Sequence, residues 1–274
     1  MREIIKIEKI EINGSLYNSI NDYCYEHGID KKYFNEPVKI IEGTTDCSNM
    51  FLGCMSFNQP VVIPNSAKDC DSMFYNCINL NQPINIPDNV TDCNYMFANC
   101  KMFNQPIKLS NNTFSCVDMF ANCKMFNQPI KLPNSIIITT TMFRNCKRFN
   151  QSIKLPNKIK RCNYMFEGCE SFNQPIIIPD STEAAHKIVS NCTSMKEPLI
   201  ISMKKSNLFY HYSIIINKNF KKSLVIESKI LENCNLNRKI ELFDYKHYKP
   251  VMIINLYLTD EEYSEVLLVY NLNN

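Results

Sequence analysis

The sequence offers little to a catalyst. It holds five glycines in 274 residues, with no Gly-rich loop that could cradle a phosphate and no nucleophile-elbow or zinc-protease motif. Its four histidines, His27, His186, His211 and His247, recur with neither cysteine nor carboxylate, so no histidine-based constellation assembles around them. No apolar run approaches the ~18 residues that span a bilayer. The start, Met1-Arg2-Glu3-Ile4-Ile5-Lys6, is interrupted by charge too often for a signal peptide. An intracellular location without membrane insertion is therefore the expectation. A net charge of +3 lacks the concentrated basic footprint of nucleic-acid binders, which argues against such a partner. At 45% hydrophobic and 21% charged residues, the chain has the composition of a soluble globular protein, not of a disordered one.

What the chain does have is a strict repeat. Phe-Asn-Gln-Pro stands at 57–60, 103–106, 126–129 and 172–175, with variants Leu80-Asn81-Gln82-Pro83 and Phe149-Asn150-Gln151-Ser152 and faded copies at 34–37 and 195–198. Successive copies start 23 residues apart without insertion. Such a period is the mark of a solenoid, in which each unit buries its apolar face against its neighbours.

The aligned columns predict the unit. Val61-Val62-Ile63, Ile84-Asn85-Ile86, Ile107-Lys108-Leu109, Ile130-Lys131-Leu132, Ile153-Lys154-Leu155 and Ile176-Ile177-Ile178 keep aliphatic outer positions around a variable middle one. This is the period-two pattern of a very short strand with one buried face. Prolines such as Pro60 and Pro64 bracket it and hold it to about three residues. Ser48, Asp71, Asn94, Thr140 and Asn163 then read as helix N-caps before Met-Phe pairs. A column restricted to Gly53, Asn76, Asn99, Asn122, Asn145, Gly168 and Asn191 predicts a left-handed stop. Each unit is thus expected to hold a strand, a turn, one helical turn and a stop. The Asn-Gln pairs read as a structural ladder from repeat to repeat.

Fourteen cysteines fall mostly into two further columns. One holds Cys47, Cys70, Cys93, Cys116 and Cys162 with Thr139 and Ala185; the other holds Cys54, Cys77, Cys100, Cys123, Cys146, Cys169 and Cys192. Substitution by Thr and Ala is what a small buried slot permits, so stacked inert thiols are expected. Structural zinc needs close Cys pairs that this seven-residue gap lacks, and disulfides between the columns would require export. No metal or cofactor is expected.

Flanking segments break the period. Residues 1–33 read as an N-terminal cap: a strand over 4–12, an Asn13-Gly14 turn and a helix from about Ser15 to His27 closed by Gly28. Residues 34–200 form about seven repeats. Residues 201–274 read as a C-terminal cap or a small α+β module, with strands at 223–226 and 251–258 and a helix from the capping box at 259–262 through Val269.

The stretch Val90-Thr91-Asp92-Cys93-Asn94-Tyr95-Met96-Phe97-Ala98-Asn99-Cys100-Lys101-Met102-Phe103-Asn104-Gln105-Pro106-Ile107 resembles the BspA-like leucine-rich repeats, especially the "surface protein" form. The resemblance covers about 34–200. It implies a leucine-rich-repeat solenoid with short parallel strands on one side and helical turns and loops on the other. It also implies a surface adhesion or protein-binding role, since family members are mostly such proteins of bacteria and protists, with relatives in large DNA viruses. Cysteine stands here where that group often has Met and Ala, and no catalytic residues carry over.

The variable middle position of the strand column is where a ligand would be met. Lys108, Lys131 and Lys154 occupy it in successive repeats, Asn85 precedes them, and Val62, Ile177 and Ile200 add apolar flanks. A mixed basic and apolar stripe suits a protein partner with an acidic surface. Lys101, Lys124 and Lys147 form a second basic register. The sequence therefore predicts a non-enzymatic protein-binding scaffold that uses the exposed strand face. The alternative is a structural component, adhesin-like or of a virion, acting as a rigid spacer.

Overall fold

The structure, a computed structural model, describes residues 9–179 and 181–195, together with the backbone of six strands between residues 199 and 270. Of the predicted first strand, residues 4–8 lie outside the described residues. Its remainder is β1 (Ile10–Ile12), which pairs antiparallel with β2 (Ser15–Tyr17). Asn13 and Gly14 both take positive φ, 51° and 80°, the geometry of a two-residue hairpin turn whose twist matches its strands. The helix expected from Ser15 is corrected accordingly: Asn-Gly between alternating residues made a hairpin first. Helix α1 (Ile20–Glu26) starts only after Ser19, whose Oγ accepts the Asp22 N–H at 3.2 Å. Gly28 takes the left-handed conformation (φ 63°) just past its end, as the sequence predicted. A third strand, β3 (Lys39–Ile40), pairs antiparallel with β1 and joins this segment to the first repeat. The Lys9–Asp46 ion pair at 3.1 Å adds a second link.

From there the 23-residue units stack in register. Parallel bridges run Asp46 to Asp69, Asp69 to Asp92, Asp92 to Ser115, and on through Ile138 and Arg161 to Ala184. Phe74, Phe97, Phe120, Phe143 and Phe166 stack ring on ring with centroids 5.6–5.7 Å apart and planes within 8°. A parallel column holds Phe103, Phe126, Phe149 and Phe172 at 6.0–6.1 Å. All of these rings are fully buried, so one continuous aromatic spine forms the core. Stacked rings gain roughly 0.5–1.5 kcal/mol per pair beyond the area they bury.

Two expectations for the unit are corrected. The segment read as a helical turn is a run of tight turns, because it contains two left-handed residues, not one. Besides the predicted column, Asn49, Ser72, Tyr95, Asp118, Thr141, Tyr164 and Lys187 have φ between 51° and 57°. A right-handed helix cannot pass through them. Alternate amides then face different partners. Met96 N–H and Ala98 N–H donate within the unit to Cys93 O and Tyr95 O, while Tyr95, Phe97 and Asn99 donate to Val117 O, Met119 O and Ala121 O of the following unit. The stack is bonded through its turns.

The second correction concerns the strands. The column from residues 61–63 to 153–155 has the predicted burial, outer residues buried and the middle one exposed, but it forms no paired strands. Only β4 (Ile176–Ile178) pairs, in parallel with β5 (Leu199–Met203). Proline does not decide this, since Pro175 and Pro179 flank β4 while residues 153–155 follow Ser152 and stay unpaired; the short segments are linked in another way. Side chains do the work just before them: Asn81, Asn104, Asn127 and Asn150 N–H each donate to the Asn Oδ1 of the preceding unit at 2.9 Å. Gln82 and Gln105 Nε2 add bonds to Asn58 O and Asn81 O at 3.0 Å. These donors point toward the earlier unit, opposite to those of the turns.

Beyond the repeats, β5 also pairs with β7 (Leu224–Ser228), which pairs antiparallel with β10 (Val266–Tyr270). The helix expected from 259 through Val269 is corrected over 266–269, which belong to β10; residues 259–265 lie outside the described residues. A short unbroken apolar run has no periodicity that separates helix from strand. A further sheet holds β6 (Ser213–Ile215), β8 (Leu236–Asp244) and β9 (Lys249–Leu258) in the order β6-β8-β9.

Candidate binding face

The stacked units place the six candidate residues in one row. Val62, Asn85, Lys108, Lys131, Lys154 and Ile177 are all exposed between buried neighbours, Val62 at 81% and Ile177 at 57%. The side chain of Ile200 lies outside the described residues. Exposed aliphatic side chains at both ends of a basic stretch give the row apolar contact area as well as charge.

A groove opens at one point of the row. Ile130, Lys131 and Leu132 face Ser152, Lys154, Leu155 and Pro156 across an open groove of 660 Å³ that also takes in Asn134, Asn157 and Lys158. Lys131 and Lys154 therefore meet, and Lys158 joins them as a third cation that sequence reasoning missed. Its signal was weak: one lysine in the turn after Pro156-Asn157. Ser152 marks the same place, being the one residue that replaces proline in six otherwise faithful copies of Phe-Asn-Gln-Pro and its Leu80 variant.

The second basic register is not a free stripe. Lys147 Nζ pairs with Glu170 Oε1 at 2.6 Å, one unit on in the same column. An exposed pair of this kind contributes at most about 1 kcal/mol, but it offsets the charge of Lys147 and shortens the basic stretch to Lys101 and Lys124. Charge is also divided along the stack. Residues 34–102 hold seven carboxylates against three cations, whereas residues 103–171 hold ten cations against three carboxylates.

Cysteine does more than fill slots. Thirteen of the fourteen cysteines are described, all free and buried. In the second column each Sγ from Cys77 to Cys192 donates to a Phe carbonyl of the preceding unit: Cys100 to Phe74 at 3.0 Å, Cys123 to Phe97 at 2.9 Å, Cys146 to Phe120 at 2.9 Å. That column has no substitution, whereas the first, where Thr139 and Ala185 occur, makes no such series. Burial pushes the thiols of Cys54, Cys93 and Cys162 up to about 12. It also holds Cys100, Cys116, Cys146 and Cys169 well above the ordinary thiol value. Thiols held neutral are poor nucleophiles and poor metal ligands. Among the described residues, no three His, Cys, Asp or Glu side chains gather to hold a metal ion, and no helix is long and apolar enough to cross a membrane.

Comparison with known proteins identifies a family. Residues 32–132 and 115–203 match the family described as "Mycoplasma protein of unknown function, DUF285", and together these stretches span more than half of the chain. The chain belongs to the DUF285 family. The overlap of the two matched stretches, 115–132, falls within the repeats, as expected where one pattern recurs. The solved leucine-rich repeat protein from Bacteroides ovatus is similar at 15% identity over 86% of this DUF285 chain and 77% of its own, with a TM-score of 0.33. No curated protein sequence matches.

Proposed function

We propose that this DUF285 chain is a non-enzymatic protein-binding scaffold, a leucine-rich-repeat solenoid of the BspA-like kind whose strand face meets an acidic surface on another protein. The supporting observation is the exposed row from Val62 to Ile177, with Lys131, Lys154 and Lys158 converging on one groove. Residues 1–33 cap the first repeat and residues 201–274 close the far end in this reading. A row that combines cations with exposed aliphatics offers both charge complementarity and a small apolar anchor, the mixture typical of protein interfaces. Free, buried thiols support a structural and not a redox use of the cysteines.

Affinity capture with the wild type, with Lys108, Lys131 and Lys154 changed to Glu, and with Lys101, Lys124 and Lys147 changed to Glu tests this face. The two triple variants change net charge equally. Loss of bound proteins from the first variant alone supports the strand face; an unchanged set in the first variant overturns it. A rigid spacer in a surface or virion assembly is the second reading, favoured by the unbroken side-chain ladders that stiffen the repeats.

A further inference from the structure

Across the turn from the strand face, a ridge carries charges of opposite sign at its two ends. Its backbone is pinned: Phe114 N–H donates to Thr91 O at 3.1 Å, Ile137 N–H to Phe114 O at 2.9 Å, and Lys160 N–H to Ile137 O at 2.8 Å. Phe114 and Ile137, adjacent at its centre, are 44% and 39% exposed. They are apolar where the same column elsewhere has Lys68, Thr91, Lys160 and Glu183. In the neighbouring column, bridged in parallel throughout, Asp92 lies on the N-terminal side of this pair and Arg161 on the C-terminal side.

We propose that this ridge is the interface of an antiparallel, two-fold symmetric dimer of the chain. The axis lies in the interface, across the stacking direction, midway between the units of Phe114 and Ile137. It sets Phe114 on the second copy's Ile137, Asp92 against Arg161 and Lys68 against Glu183, each contact occurring twice as an isologous interface requires. Glu183 already pairs with Lys160 at 2.9 Å, so Lys68 completes a three-charge cluster. The parallel alternative puts Asp92 on Asp92 and Arg161 on Arg161, and like charges in register oppose it. Division of charge along the stack, carboxylates first and cations after, steers two copies into the antiparallel approach. Five repeat intervals at ~4.8 Å give a narrow ridge about 24 Å long, and contacts smaller than the standard interface of about 1,200–2,000 Å² are typically transient. Association is therefore weak and reversible.

Sedimentation velocity of the full chain over a concentration series is the test. Wild type shifts from monomer toward dimer as concentration rises, and added salt reverses the shift. Arg161→Asp alone, which sets Asp against Asp92, abolishes the dimer; Asp92→Arg with Arg161→Asp restores it. Arginine already occupies this column at 161, so the double variant fits the fold, and a thermal melt checks each protein. Ile137→Glu is a second probe and abolishes the dimer, whereas changing Lys108, Lys131 and Lys154 to Glu leaves it intact. A wild type that stays monomeric at every concentration, a dimer that survives Arg161→Asp, or a folded double variant that stays monomeric overturns the proposal.

Discussion

The thiol of Cys123 donates to the carbonyl oxygen of Phe97, 26 residues earlier, at 2.9 Å. The same oxygen accepts the amide of Cys100 at 3.0 Å. One carbonyl thus collects a donor from its own unit and a donor from the next. An aliphatic side chain of similar size would fill the slot without tying the units together, which gives the second cysteine column a chemical reason for its constancy.

Replacing a donor should therefore cost more than replacing a filler. Cys123→Ala is expected to lose about 1 kcal/mol more stability in urea unfolding than Cys116→Ala, the increment of one buried hydrogen bond. Ala185 already shows that the first column accepts alanine. Equal losses for the two variants would remove the hydrogen-bonding role.

Stability should fall in alkali. The folded thiols of Cys54, Cys93 and Cys162 are raised to about 12 from an ordinary 9.0. Above pH 9 the unfolded chain releases protons that the folded chain keeps, so the contribution of these thiols, complete below 9, is lost as pH rises toward 12. Each contributes a slope of about 1.4 kcal/mol per pH unit in that window. Unfolding midpoints measured from pH 8 to 11 should hold up to about pH 9 and drop beyond it, and the described thiols of the native protein should stay silent to a thiol reagent that counts all fourteen after denaturation. Flat midpoints across this range, or prompt native reactivity, would contradict the burial described.

Asn104 joins three units, since its amide donates to Asn81 Oδ1 while its own Oδ1 accepts Asn127 N–H at 2.9 Å and Gln128 Nε2 at 3.2 Å. Asn104→Ala leaves that half-buried amide without its acceptor and is expected to cost about 1–3 kcal/mol. Asn104→Asp keeps the acceptor and should cost clearly less by the same unfolding measurement.

The columns made much of this legible. Aliphatic outer positions such as Ile107 and Leu109 predicted burial, and a column of only Gly and Asn predicted positive φ. The other left-handed column was hidden because Tyr95, Thr141 and Tyr164 have no preference for that conformation; hydrogen bonds to the following unit impose it, and they involve residues 22 positions away. For the same reason a capped helical turn was expected where tight turns occur. On the candidate face, the exposed row followed from alternation alone. Its groove did not, because Lys131, Lys154 and Lys158 meet across two units and Ser152 is informative only against its proline counterparts.

The opposed directions of the two hydrogen-bond series carry a last consequence. In an α-helix every peptide dipole adds, so charge builds at the ends as partial charges of about half a unit. Here Phe97 N–H points to the following unit while Asn104 N–H points to the preceding one, and the two contributions largely cancel within each 23-residue block. Lengthening the chain by duplicating a block therefore adds no electrostatic strain at its termini.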